Sequence, residues 1–150
     1  SYDESNSGWN KDYSNYNNWL YFGSNYRLSN RKPNLLCPRQ IDKFTINLDN
    51  GNGKLTYPVG MITAEEMTLA GGIISSANTS YYLYNANYNW IISPSHFTSL
   101  YTIGFNLTSL GYFSNSGVAG SLDVRPSISL KHGTVLSSGN GTSTSPYIIE

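Results

Sequence analysis

The feature that most constrains the fold is a series of short apolar and aromatic segments that follow residue 80 and are separated by Asn, Ser and Gly. Short segments of this kind, bounded by residues that favour turns, are typical of β-strands. Strands are predicted at residues 81–84, 90–92, 101–105, 111–113, 124–130 and 147–149. The chain is therefore expected to be mostly β.

Upstream of this series, the sequence predicts a β-hairpin. Residues 44–48 and 54–57 alternate apolar and polar side chains, and the Asp, Asn and Gly residues at 49–53 tolerate positive φ. The loop does not predict a calcium site, because Asp49 is its only carboxylate and calcium takes several oxygen ligands.

One short helix is predicted after residue 63. Thr63 and Glu66 have the spacing of a capping box, in which Thr63 accepts from the amide of Glu66 and the Glu66 carboxylate reaches back to Thr63. Gly71 and Gly72 are expected to end the helix, because glycine takes the left-handed cap conformation at little cost. The fold class expected is α+β, mostly β, with one capped helix and long loops.

The length of 150 residues suits a single domain. Residues 1–34 are rich in Asn, Tyr and Trp without a sustained period, so they are expected to be an irregular segment packed on a domain formed by residues 35–150. Cys37 is the only cysteine and has no partner within the chain for a disulfide. It is either a small buried side chain or the partner of a cysteine in a longer precursor.

Charge and composition exclude several classes of function. Charged residues make up 12% of the chain and the formal net charge is +0, so no electrostatic field is available to recruit nucleic acid. A run of about 18 apolar residues, which a membrane-spanning helix needs, does not occur in the sequence. No cluster of His, Cys or carboxylates has metal-ligand spacing, and no cofactor motif is found, so neither a metal nor a cofactor is expected.

Catalysis is also not expected. His96 and His132 are the only imidazoles. Ser93 and Ser95 are so close to His96 in sequence that a nucleophile–base pair is not expected, because such pairs normally come from distant segments of a chain. The Glu65–Glu66 pair does not predict acid–base chemistry, because adjacent helical residues point about 100° apart and carboxylates in the first turn suit the helix dipole.

Several landmarks together resemble a known family. They are the segment 55–66 that leads to Ala-Gly-Gly at 70–72, Tyr-Tyr-Leu-Tyr at 81–84, Trp-Ile-Ile-Ser-Pro at 90–94, Asp-Val-Arg-Pro at 123–126, and the ending at 139–149. Residues 33–150 resemble secreted domains of Gram-positive and gut-associated bacteria that often follow a type IV pilin-like helix or another surface anchor. The order of the Trp and Val-Arg-Pro landmarks is similar to the C-type lectin fold in its formylglycine-generating-enzyme-like variant.

This resemblance implies a small twisted sheet with long loops, on the outside of a bacterial cell and with its anchor outside this sequence. It does not imply the enzyme's activity, because that activity uses two cysteines and only Cys37 is present. Calcium-dependent sugar binding is not implied either, since the Glu-Pro-Asn, Gln-Pro-Asp and Trp-Asn-Asp strings are missing. The Gly that usually precedes Val-Arg-Pro is replaced by Asp123.

The resemblance places variable, ligand-facing residues between the Trp motif and the last core strand, at residues 95–122. This window contains no Lys, Arg, Asp or Glu, so a ligand would be held by aromatic contact, hydrogen bonds and shape. The residues predicted to bind it are Tyr88, Tyr101, Phe105, Tyr112 and Phe113. The alternative is that Tyr101 and Phe105 alternate into the core, whereas Tyr112 and Phe113 cannot both point inward from a regular strand.

Two functions follow from these arguments. The first is a non-catalytic recognition or adhesion domain of a bacterial surface protein that binds a glycan or a protein on a host or neighbouring cell. The second is the structural head domain of a pilin-like filament subunit, which would associate with copies of itself. Trp90 and Arg125 are expected to stabilise the fold rather than to bind ligand, with the Arg125 guanidinium holding loop carbonyls.

Overall fold

A computed structural model of the chain describes residues 20–36, 44–45, 51, 53–98, 100–142 and 144–150. The elements in chain order are β1 (Leu20–Tyr21), α1 (Gly23–Ser29), β2 (Phe44–Thr45), β3 (Gly53–Lys54), β4 (Val59–Met61), α2 (Ala64–Leu69), β5 (Ile73–Ile74), β6 (Asn89–Phe97), β7 (Thr102–Leu107), β8 (Tyr112–Gly117), β9 (Pro126–Ile128), β10 (Leu136–Ser138) and β11 (Ile148–Ile149). The fold is mostly β with few helices, which confirms the coarse fold class.

The centre of the fold is a curled five-stranded sheet in the order β1-β6-β7-β8-β5. Its neighbouring strands are antiparallel except β5, which lies parallel to β8. The register between β6 and β7 shifts on both sides of Pro94. Because proline has no N–H to donate, an interior strand accommodates it at an irregularity of the ladder.

Three further pairs of strands lie outside this sheet: β4 with β9 and β10 with β11, both antiparallel, and β2 with β3, which is parallel. The predicted hairpin at residues 44–57 is therefore wrong in direction. Alternation of side chains locates strands but does not fix how they pair, and a tight turn can join only antiparallel strands. Most of the predicted turn, residues 49, 50 and 52, lies outside the described residues.

The hydrophobic core lies between one face of the central sheet and the two helices. Phe105 and Phe113 meet with ring centroids 6.4 Å apart in an edge-to-face arrangement, which aromatic rings favour. The buried apolar side chains of the described part of the chain are Leu28, Ala64, Met67, Tyr81, Ile91, Phe105, Leu107 and Phe113.

Helix α2 has the ends that the sequence predicts. The Thr63 amide donates to Glu66 Oε2 at 2.8 Å, and the Glu66 amide donates to Thr63 Oγ1 at 3.1 Å, so the capping box is confirmed. At the other end, the Gly72 amide donates to the Met67 carbonyl and Gly71 has a φ of 118°. A Cβ on Gly71 would lie 2.8 Å from the Cβ of Tyr81, so both its conformation and its surroundings require glycine there.

Two elements differ from the prediction. Residues 20–29, expected to be irregular, form β1 and α1, and residues 81–84, expected to be a strand, form a turn in which the Tyr84 amide donates to the Tyr81 carbonyl. Helix α1 has no side chain that caps its N-terminus, and Ser24 Oγ instead donates to the carbonyl of Pro94 in β6. Its stability comes from tertiary contacts that a local pattern does not report. Among the described residues, no helix has the length and hydropathy to cross a membrane.

Candidate functional site

The predicted ligand-binding residues divide between the surface and the core. Tyr101 is 64% exposed and Tyr88 is 49% exposed, whereas Phe105 and Phe113 are 0% and 1% exposed. Tyr112 is half-buried, and its neighbour Phe113 points into the core, as expected for adjacent strand residues. The prediction that Phe105 and Phe113 contact a ligand is therefore wrong for this structure.

The physical reason for this error is that residues 95–122 supply two central strands of the sheet. Leu107 lies opposite Phe113, and Phe105 lies two residues before Leu107 on the same face of β7. Side chains on this face are buried against the helices, so charged residues are excluded by the cost of desolvation. Much of the charge-free composition that suggested a recognition surface is thus explained by the core.

An apolar surface does remain at the end of the hairpin formed by β6 and β7. Tyr101 is joined there by Phe97, Leu100 and Val118, which are 40%, 65% and 57% exposed. The Val118 amide donates to the Thr102 carbonyl at 3.1 Å, which places Val118 beside the hairpin end. These four residues are called the hairpin-tip patch below.

The turn that presents the hairpin-tip patch is fixed by Thr98. Its Oγ1 accepts from the amides of Leu100 and Tyr101 at 3.3 and 2.9 Å, and its own amide donates to the Tyr101 carbonyl at 2.9 Å. On the strand side, the ring of Phe97 lies against Phe22 with centroids 5.3 Å apart. The patch is therefore carried by a defined turn on a packed strand rather than by a long loop.

Trp90 lies in strand β6 of the central sheet, and Arg125 lies directly before strand β9. A Cβ on Gly104 would lie 3.3 Å from Trp90 Cζ3 and 3.5 Å from Val118 Cγ1, so the half-buried indole ring covers Gly104. The Arg125 guanidinium donates to the carbonyl of Leu83, which confirms the prediction that it holds a loop carbonyl. Burial raises the pKa of the nearby Tyr81 hydroxyl, and the positive charge of Arg125 partly offsets that effect.

A buried polar cluster joins α1, α2 and β6. Glu65 in α2 forms an ion pair with Arg27 in α1, and Ser93 Oγ donates to Glu65 Oε2 at 3.4 Å. Beside it, Asn25 Nδ2 donates to Ser95 Oγ at 3.0 Å. Hydrogen bonds to both helices thus fix their positions on the sheet.

Ser95 and His96 belong to the same cluster. Ser95 Oγ lies 3.0 Å from His96 Nδ1, and the two residues are 0% and 3% exposed. Burial lowers the pKa of His96 below its usual value, because the neutral ring is less costly to desolvate than the imidazolium. The two side chains lie within hydrogen-bonding distance of each other, but both are buried, so a substrate cannot reach them in this structure.

A concave surface lies between α2 and the β4–β9 pair. This groove has a volume of about 750 Å³ and is lined mainly by apolar side chains, among them Leu55, Val59, Met61, Ile62, Leu69 and Ile128. Glu66 is the one charged residue of its described lining, and its carboxylate already binds Thr63 through the capping box. We call this surface the β4–β9 groove.

Metal-ligating side chains do not converge in the described part of the chain, where no group of three or more His, Cys, Asp or Glu is found. Cys37 lies outside the described residues, so neither hypothesis about it is tested by the structure.

Comparison of the chain with protein-family models, with curated proteins and with solved structures finds no match in any of the three.

Proposed function

We propose that the chain is a non-catalytic recognition domain that binds a protein partner through the hairpin-tip patch. The observation that carries this proposal is the exposure of two apolar side chains on the turn held by Thr98, together with Phe97 at the end of β6 and Val118 after β8. Exposed apolar groups that are clustered and rigidly held are typical of protein interaction sites. Of the residues predicted from the sequence, Tyr101 is the one that belongs to this surface.

A protein partner is favoured over a glycan by the composition of the hairpin-tip patch. The patch combines two aliphatic residues, Leu100 and Val118, with two aromatic residues, Phe97 and Tyr101. Such a mixture matches the apolar centre of a protein interface, whereas sugars are held mainly by aromatic faces together with polar side chains. Tyr101 is expected to contribute most, because tyrosine is enriched among the residues that dominate binding energy.

The finer fold and the location form part of the same proposal. A C-type lectin-like arrangement is supported by the curled sheet with its long connections and by the position of Arg125 against Leu83. The extracellular, bacterial surface location rests on the resemblance of the sequence landmarks to secreted bacterial domains. Absence of catalysis is supported by the burial of Ser95 and His96.

The proposal is tested by binding measurements on arrays of bacterial and host surface proteins and, in parallel, on a glycan array. Tyr101→Ser and Leu100→Ser are compared with Leu110→Ser, which alters a side chain that is 55% exposed at a different turn. We expect one or more protein partners whose binding is at least about tenfold weaker for the two patch variants and unchanged for Leu110→Ser, a difference typical of central interface residues.

Binding should also be nearly independent of salt, because the hairpin-tip patch contains no charged group for ions to screen. Equal binding by the patch variants and the wild type would overturn the proposal. Binding to glycans that depends on Tyr101 but not on Leu100 would replace the protein partner by a sugar.

A further inference from the structure

The C-terminal hairpin carries apolar side chains that remain about half exposed in the described structure. Strands β10 and β11 pair with each other, and both are exposed along their whole length. Five apolar side chains remain between 47% and 61% exposed, namely Val135, Leu136, Tyr147, Ile148 and Ile149. We call residues 135–150 the arm.

The arm is nevertheless defined in detail by its own sequence. Gly139 and Gly141 have φ values of 93° and 81°, and a Cβ on Gly139 would lie 2.0 Å from the Pro146 carbonyl oxygen. The Asn140 amide donates to the Ser145 carbonyl, and Asn140 Oδ1 accepts from the Thr142 amide and hydroxyl. A two-stranded hairpin by itself is only marginally stable in water, so an apolar surface against which the arm packs would stabilise it.

We propose that this surface is the β4–β9 groove of a second copy of this chain, and that two copies exchange arms reciprocally. The proposal goes beyond recognition at the hairpin-tip patch and uses different surfaces. Both surfaces are mainly apolar, since Glu150 is the one charged side chain of the arm and Glu66 is the one charged residue in the described lining of the groove. A strongly charged partner would leave its charges without counterparts on the arm.

The area available fits a stable dimer. Five side chains of this size at about half exposure leave on the order of 500 Å² of apolar surface, and a stable interface takes about 800 Å² from each partner. In a reciprocal exchange each copy contributes both its arm and its groove. The exposed groove residues Val59, Leu69 and Ile128, which are 44%, 59% and 62% exposed, supply the remainder.

The position of the arm favours a closed pair over an open chain of copies. Ser129 lines the groove, and the arm begins after a single turn in which the Thr134 amide donates to the Lys131 carbonyl. The base of the arm is therefore close in sequence to the groove of the same copy. When the arm of one copy enters the groove of a second copy, the arm of the second copy begins close to the first copy. The same contact can then form in both directions, which gives a pair related by a two-fold axis.

The experiment is sedimentation equilibrium of the 150-residue chain from micromolar to millimolar concentration. Ile148→Ser changes the arm and Leu69→Ala changes the groove without weakening helix α2 through low helix propensity. Leu110→Ser and Tyr101→Ser serve as controls, because both replace exposed apolar side chains outside the arm and the groove. Thermal melts of every variant show whether the fold is retained.

We expect a monomer–dimer equilibrium whose dissociation constant rises about tenfold or more for Ile148→Ser and for Leu69→Ala, and is unchanged in the two controls. Deletion of residues 135–150 supplies a second arm variant and should give a monomer at all concentrations. A wild-type monomer throughout, a dimer that survives the arm and groove variants, or species larger than a dimer would each overturn reciprocal exchange. Loss of partner binding in Tyr101→Ser with an intact dimer would show that the two proposals stand separately.

Discussion

Arg27 and Glu65 form a buried ion pair that joins the C-terminal turn of α1 to the first turn of α2. The Arg27 Nε donates to Glu65 Oε1 at 3.1 Å, in addition to the contact from its terminal nitrogen. The two side chains are 16% and 7% exposed, so each depends on the other to offset the loss of hydration. The pair fixes a helix that the sequence pattern does not predict.

Removal of Arg27 should therefore cost more than the loss of a surface charge. We expect Arg27→Ala to lower the free energy of unfolding by about 3–5 kcal/mol, because it leaves the Glu65 carboxylate buried without its partner. Replacement of both residues by apolar side chains, Arg27→Met with Glu65→Leu, should recover a large part of this loss. Urea unfolding measures the free energy of unfolding of the single and the double variant. A loss below about 1 kcal/mol in Arg27→Ala would show that the ion pair is effectively solvated.

Loss of the capping box should lower the stability of the protein by a smaller amount than loss of the ion pair. Thr63→Ala should destabilise the protein by about 0.5–2 kcal/mol, because the amide of Glu66 loses its acceptor at the helix N-terminus. Thr63→Ser keeps the hydroxyl and should stay close to the wild type. Equal melting temperatures for Thr63→Ala and Thr63→Ser would contradict the assigned role.

The division of the predicted binding residues into core and surface can be measured directly. Phe105→Ala should cost about 3–5 kcal/mol of unfolding free energy, because it leaves a cavity beneath Phe113. Tyr101→Ser, on the exposed turn, should stay within about 0.5 kcal/mol of the wild type. Chemical denaturation of both variants tests the assignment, which fails if Tyr101→Ser is the more damaging change.

The buried imidazole of His96 should make stability depend on pH. Because burial lowers its pKa in the folded protein, the unfolded chain binds a proton more readily as pH falls below about 6.5. The free energy of unfolding should therefore decrease as pH falls from the unfolded-state pKa toward the folded-state pKa of His96.

The measurement is denaturant unfolding at mildly acidic and neutral pH for the wild type, His96→Asn and His132→Gln. His96→Asn should reduce the loss of stability on acidification, whereas His132→Gln, which alters an exposed ring, should keep it. An unchanged pH dependence in His96→Asn would assign the acid sensitivity to other groups.

The sequence predicted those features that depend on neighbouring residues. The ends of α2 follow from Thr63, Glu66 and Gly71, whose effects act within one turn. Segments within β6, β7 and β8 follow from apolar runs between turn residues. Helix α1 was not predictable, because it depends on contacts with the distant strand β6. The parallel pairing of β2 with β3 was not predictable either, because alternation of side chains does not fix the direction in which strands pair.

The candidate site was predicted in part for the same reason. Tyr101 was identified through a charge-free window, but composition does not distinguish a strand that is buried by helices from a turn that is exposed to solvent. The other three residues of the patch were missed. Leu100 lies in the turn fixed by Thr98, and Phe97 and Val118 come close to that turn only through strand pairing. The arm and the groove were also missed, because their apolar residues cannot be distinguished in the sequence from those of buried core segments.

The outer edge of β6, on either side of Pro94, limits how far this protein can be shortened. The register of β6 is interrupted at Pro94, and its outer edge is divided: β1 pairs at His96 and Phe97, while Asp123 bridges to Asn89 at the other end. Removal of residues 20–29 would uncover backbone donors and acceptors beside His96 while leaving the Asp123 end covered. A chain that starts after α1 should thus have an open strand edge next to exposed apolar side chains, and its yield should be limited by aggregation rather than by degradation.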